Sequence, residues 1–171
     1  MSRRNIGRLS AIIAFGFAFL PWSAIAQQKS LKDQLIGTWL AVAVYGERSD
    51  GSRQDNFGAK PSGLLIFDRT GRFSLQIVNP DRPKHKSPDR FALTPEEYAA
   101  ITQNGIAYSG TYAVDEAKHT FTIVIERSMF EQWHERTIAF EINGDELSYG
   151  SPPIEVNGVR VTNHLVWKRA N

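Results

Sequence analysis

Tyr108, Tyr112, His119 and Arg136 are the side chains with which this sequence could do chemistry inside a fold, because each interrupts a run of alternating apolar residues. Residues two apart along a strand share a face. Tyr108, Gly110 and Tyr112 therefore align, His119 aligns with Phe121, Ile123 and Ile125, and Arg136 aligns with Ile138, Phe140 and Ile142. If these faces point inward, Arg136 enters an apolar interior, where a guanidinium is costly unless it meets an anion or several acceptors. Arg suits a carboxylate because it donates two parallel hydrogen bonds. Two readings stay open. In one, Arg136 pairs with Glu126 or Glu135 or lies at a solvated rim. In the other, it holds the head group of an apolar acid; Tyr108, Tyr112 and His119 add hydrogen bonds, and Phe121 and Phe140 line the tail.

Other chemistry finds no support. His85, His119, His134 and His164 include no pair at metal-ligand spacing on one strand face, so no metal site is expected. There is no Gly-x-Ser-x-Gly elbow, phosphate loop or dinucleotide fingerprint, and no basic stripe interleaved with aromatics. No cofactor, nucleic-acid partner or catalytic residue is assigned on these grounds.

The elements that would position these side chains are organised around residues 35–45, which are uncharged and fenced by Lys32-Asp33 and Glu47-Arg48. This stretch predicts a long strand buried on both faces. A closed antiparallel barrel offers such a strand a core without leaving an open edge. Gly37 weakens a strand unless backbone or a ring packs closely on it, and Trp39 shares its face and can fill one end of a barrel. Trp39 is expected at the closed end against the end of the last strand, where Lys168 or Arg169 would lay its cation over the indole.

Ahead of that strand, residues 27–34 are polar, with Leu31 and Leu35 one helical turn apart, which predicts a short helix or arm able to plug the barrel base. Residues 46–60 read as a loop in which Phe57 is the only large apolar residue. Strands are expected at 64–68 and 72–78 around a tight turn. Residues 79–91 hold three prolines with Arg82, Lys84, His85, Lys86 and Arg90, and read as a connector, a lid or a partner contact. Thr94-Pro95-Glu96-Glu97 is a capping box with proline at the first helical position. It predicts a helix over 95–103 that Tyr98 and Ile101 would pin to the barrel.

Further strands are expected at 106–114, 119–127, 135–142, 146–149 and 159–168. Met129, Phe130 and Trp133 would cover a barrel rim or lie over its mouth, Pro152-Pro153 interrupts the sheet at an edge or bulge, and Asn157-Gly158 is a hairpin turn. The fold class is all-β: an antiparallel up-and-down barrel of about eight strands, with one short helix inserted after the third and room for one small ligand. A membrane barrel would need an apolar outer belt over longer strands, so no stable membrane insertion is expected.

Residues 1–26 read as a cleaved secretory signal: Arg3, Arg4 and Arg8 precede an apolar run over 9–20, and Ala24-Ile25-Ala26 is a small-x-small site. The run is too short to span a bilayer, and Arg3-Arg4 leaves a twin-arginine route open. The expected mature chain, 27–171, is one domain in the periplasm or medium. Losing three arginines takes the formal charge from +2 to −1, so basicity argues for no nucleic-acid partner. With no cysteine, the chain has neither disulfides nor a lipidation site.

In this order, Gly37-Thr38-Trp39 resembles the Gly-x-Trp signature of the lipocalins. The chain from Leu35 to Arg169 resembles a bacterial lipocalin-like domain in Leu35-Ile36-Gly37-Thr38-Trp39, Pro61-Ser62-Gly63-Leu64-Leu65-Ile66-Phe67, Ala107-Tyr108-Ser109-Gly110-Thr111-Tyr112 and Leu165-Val166-Trp167-Lys168-Arg169. The resemblance implies a calyx-shaped barrel, often with a bound apolar molecule, and fixes no ligand. Three functions follow: a carrier of a small apolar or amphipathic molecule, a cofactor-free isomerase or cyclase using His119 with a carboxylate, or a filled-core partner-binding module. A cavity of roughly 300 Å³ or more separates the first two from the third.

Overall fold

The computed structural model describes residues 29–130 and 134–170. The signal reading of 1–26 and the place of Trp133 lie outside them. The short first helix, α1 (Leu31–Leu35), is capped by Ser30, whose Oγ accepts from the Asp33 N–H. The strands are β1 (Gly37–Arg48), β2 (Arg53–Asp55), β3 (Ser62–Phe67) and β4 (Arg72–Val78). After α2 (Pro95–Gln103) come β5 (Gly105–Asp115), β6 (Thr120–Ser128), β7 (Glu135–Asn143), β8 (Glu146–Gly150), β9 (Ile154–Val156) and β10 (Val159–Arg169).

Neighbouring strands pair antiparallel in the order β1-β3-β4-β5-β6-β7-β8-β10, and β10 returns to β1. The result is the closed eight-stranded barrel expected. The short strands β2 and β9 pair outside this ring, on β1 and β10. β2 arises in the segment read as a loop, so α2 follows the fourth strand of the chain and the third of the barrel.

One strand face departs from expectation. β1 is not buried on both sides: Leu40 and Val42 are about half exposed on its outer face, next to the partly exposed Leu64 and Ile66 of β3. Outward apolar residues are common on folded proteins, and a barrel gives its outer face no second layer to pack against.

The helix α2 also differs. Its capping box forms as expected, with Thr94 Oγ1 accepting from Glu97 N–H and Thr94 N–H donating to Glu97. No residue of α2 is buried, however. Tyr98 does not pin it to the barrel, because its hydroxyl donates to the Arg90 carbonyl at 2.6 Å, and Ile101 faces residues 80–85 of the preceding loop. The loop and helix hold each other, and Asn79 and Asn104 clamp their two ends at the barrel wall through N–H to O (2.8 Å) and amide to amide (3.0 Å) bonds.

At the closed end, Trp39 is fully buried and its indole N–H donates to the Leu35 carbonyl at 2.9 Å. Of Lys168 and Arg169, it is Arg169 that makes the contact: its guanidinium lies 4.1 Å from the Trp39 ring and donates to the carbonyls of Gln34 and Ile36. Gly37 has φ +139°, and a Cβ there would stand 2.8 Å from Arg169 Nη1. Glu116, in the turn between β5 and β6, accepts from the N–H groups of Leu31 and Lys32 at 2.7 and 3.0 Å. A carboxylate on the free N–H groups of a helix start satisfies both charge and hydrogen bonding. So α1 is tied across the base from two sides.

Candidate functional site

Above that plug the barrel is filled with rings. Phe67 meets Tyr112 edge-on at 4.8 Å, and Phe121 packs on Phe140 at 5.3 Å and on Tyr149 at 5.4 Å. Trp167, stacked against Tyr149, is fully buried. Burial pushes the Tyr149 hydroxyl well above its ordinary value, and the buried Trp167 indole N–H makes no hydrogen bond among the described residues.

The packing stops short of the open end, where β1, β4, β6 and β8 finish and β5, β7 and β10 begin. A cavity of about 650 Å³ lies there. Its apolar walls are Val44, Phe57, Ile106 and Leu165, and its polar groups include Tyr108, Arg136, Asn56 and Asn163. Asn56 donates to Asn163 through their side-chain amides at 2.8 Å, closing the wall between β2 and β10. Arg136 stands on the inner face of β7, opposite Ile123.

The predicted site residues separate into three places. Tyr108 and Arg136 meet at the cavity. Tyr112, Phe121 and Phe140 face inward as alternation requires, but at a lower level within the packed rings. The Tyr112 hydroxyl donates to the Asp68 carbonyl at 2.7 Å, so it braces a hairpin instead of facing the cavity. His119 is corrected outright: it adopts φ 52° in the turn before β6, is exposed, and lies on the outside of the barrel. A residue in the left-handed region ends the alternation that would have sent it inward. Gly37, Trp39 and Arg169 come together at the opposite pole.

Four walls were missed. Phe57 is carried over the mouth because Asn56 N–H donates to the Val44 carbonyl at 3.0 Å, and its only signal was a large apolar residue in a polar loop. Val44, Ile106 and Leu165 lie inside the expected strands but were not counted as lining.

Burial pushes the Tyr108 hydroxyl up to about 12, partly opposed by the nearby Arg136 charge. Burial, with the Asp68 and Asp33 charges, also takes Tyr112 up to about 12. Unfolded tyrosines ionise near ~10. Between ~10 and ~12 the unfolded chain therefore loses protons that the folded one keeps, and stability falls as pH rises. Urea denaturation between about pH 9 and about pH 12 is expected to show a steadily falling midpoint, with a shallower fall in Tyr112→Phe.

A closed eight-stranded barrel with one end plugged and a cavity at the other is a calyx, the architecture of small-molecule-binding barrels. The chain belongs to the lipocalin-like domain family, which it matches over residues 36–170. It is also 26% identical over 107 residues to the 4'-hydroxy-3'-methoxypropiophenone carrier protein ppsC of Aspergillus oryzae, a match covering 56% of this chain and 95% of the relative.

Proposed function

We propose that this protein is an exported carrier that binds a small apolar or aromatic molecule in the cavity at the barrel mouth. The observation that carries this reading is the cavity itself: about 650 Å³, with Val44, Phe57, Ile106 and Leu165 as apolar walls and polar side chains, Tyr108 and Arg136 among them, interspersed. That size and lining are typical of small-molecule sites. The relative named as a carrier of a propiophenone supports the same class of cargo. Export rests on the basic start, the apolar run and Ala24-Ile25-Ala26, and goes with a mature N terminus at Gln27.

The test is calorimetric titration of the purified protein with 4'-hydroxy-3'-methoxypropiophenone and a panel of fatty and aromatic acids. At least one compound is expected to bind well below ~1 mM, which corresponds to about −4 kcal/mol. Ile106→Trp, which fills the cavity from its wall, should weaken that binding tenfold or more. The reading fails if no compound binds below ~1 mM, or if the filled variant binds as well as the parent.

A further inference from the structure

We propose that the open end of the barrel docks on an anionic lipid surface, with the basic loop 80–91 against the headgroups and the apolar side chains around the mouth entering the interface. This goes beyond what the cavity binds, and names where an apolar cargo is collected or delivered.

Exposed large apolar side chains are unevenly distributed. Phe91 is 78% exposed and Met129 56%, and both lie in connections at the open end. Ile154, Val156 and Val159 add to them on the hairpin of β9 and β10 at the same end. Among the described residues the turns at the plugged end carry none, and the others lie on α2 or on the outer wall of the barrel. Apolar surface gathered at one end of a molecule marks a contact with another surface or an apolar phase.

The loop supplies the charge. Arg82, Lys84, Lys86 and Arg90 are exposed, and the ion pairs among the described residues involve none of them. Arg82, Lys84 and His85 line a groove with Pro80, Pro83 and Ile101, and no acid is among its described lining residues. Arg82 is anchored through Nη1 on the Asn79 carbonyl at 3.0 Å and keeps further N–H groups for a phosphate oxygen. Of the acids nearby, Asp89 accepts from the Phe91 N–H, and Glu97, which also feels the charges of His85 and Lys86, accepts from the N–H groups of Lys86 and Thr94. Asp81 and Glu96 are exposed and lower the net charge of the loop and helix without pairing with a cation. Because Asn79 and Asn104 clamp the loop and α2 at the barrel wall, the cations stay at the mouth.

A flat anionic surface answers both features at once. Phosphates meet the loop, while Phe91, with the Arg90 guanidinium 4.5 Å from its ring, and Met129 enter between headgroups. Each Lys or Arg held near such a surface contributes roughly fivefold to binding, an effect that added salt screens. The attachment is peripheral: loops and short strands meet the headgroups and none spans the bilayer. Gln103 of α2 and Ile154 of β9 also line the mouth cavity, so an apolar cargo moves between bilayer and cavity with little exposure to water.

The test is co-sedimentation with vesicles of equal parts phosphatidylcholine and phosphatidylglycerol, and with vesicles of phosphatidylcholine alone. It is run on the full chain and on the chain from Gln27, which contains every described residue, so that residues 1–26 do not decide the outcome. Both are expected to bind the mixed vesicles at least about tenfold more tightly than the neutral ones, and to be released by salt. Arg82→Gln, Lys84→Gln and Arg90→Gln together should weaken binding to the mixed vesicles about tenfold or more with the melting curve retained, and Phe91→Ser by a smaller factor. Lys29→Gln, Lys32→Gln and Arg69→Gln together remove the same charge at the plugged end and should change nothing.

Cargo titrations without vesicles should be the same in all these variants, so failure of the docking reading leaves the carrier reading intact. No vesicle binding, equal binding to neutral vesicles, or an equal loss in the plugged-end variant overturns the docking. Inorganic phosphate that binds at the loop as tightly as the mixed vesicles overturns it in favour of a free-anion site. Polyglutamate bound that tightly overturns it in favour of an acidic protein partner.

Discussion

Trp39→Ala is expected to destabilise the domain by about 3–5 kcal/mol, the range for deleting a large buried aromatic. That is a large share of the 5–15 kcal/mol that holds a typical domain folded. The ring is fully buried, and two other interactions converge on it. Its N–H ties down Leu35, the last residue of α1. Arg169 stacks on its face, worth about 0.5–1 kcal/mol beyond burial, and from that position reaches the carbonyls of Gln34 and Ile36. Losing the indole leaves a cavity at the barrel base and frees the arginine that joins the end of β10 to α1. Trp39→Phe keeps a ring and loses the hydrogen bond, so its cost should be nearer 1–2 kcal/mol. Urea unfolding of the two variants beside the parent gives both numbers. A loss below ~1 kcal/mol for Trp39→Ala would mean that the plug is held by other contacts.

This pole of the barrel was legible from sequence because it is built from the two ends of one strand ring. A Gly-x-Trp at the start of the first strand and a cation at the end of the last must meet if the barrel closes, and Trp39 does pair with Arg169 across β1 and β10. The mouth was only half legible. Alternation by two places a residue on the inner face but says nothing of its height along the barrel axis, which the stagger between strands sets. Phe121 and Phe140 were read on the right face, and pairing of Phe121 with Ile138 and of Ile123 with Arg136 puts them below the level of the guanidinium. His119 was lost for another reason. The turn 115–119 takes one residue more than the alternating pattern suggests, and that residue is His119 in the left-handed region. Phe57 reaches the cavity through a backbone bond between Asn56 and Val44, a contact no local pattern encodes.

The same logic of levels makes Gly110 a sensitive position. The register between β5 and β6 shifts between Ser109 and Gly110, because β6 bulges around Glu126. A bulge draws backbone into the space a side chain would use, and glycine at the facing position makes room for it. Here a Cβ on Gly110 would collide with the carbonyl oxygen of Val124 and would come within 3.0 Å of the Glu126 nitrogen. Neither obstacle is the flexible end of a side chain. Gly110→Ala is therefore expected to cost about 3 kcal/mol, the upper part of the usual range for overpacking, because only a backbone shift relieves it. Gly144→Asn serves as the control: its turn has φ +61°, which Asn tolerates, and nothing lies within 4 Å of an added Cβ. Denaturation midpoints separate the two. Gly110 also sits between Tyr108, which faces the cavity, and Tyr112, which braces the Asp68 hairpin, so straightening the bulge moves one relative to the other. In whatever fraction of Gly110→Ala remains folded, ligand affinity should fall by more than it does in Gly144→Asn. Equal stability and equal affinity for the two variants would show that β6 can slide to accommodate the methyl group, and that the bulge does not set the height of Tyr108.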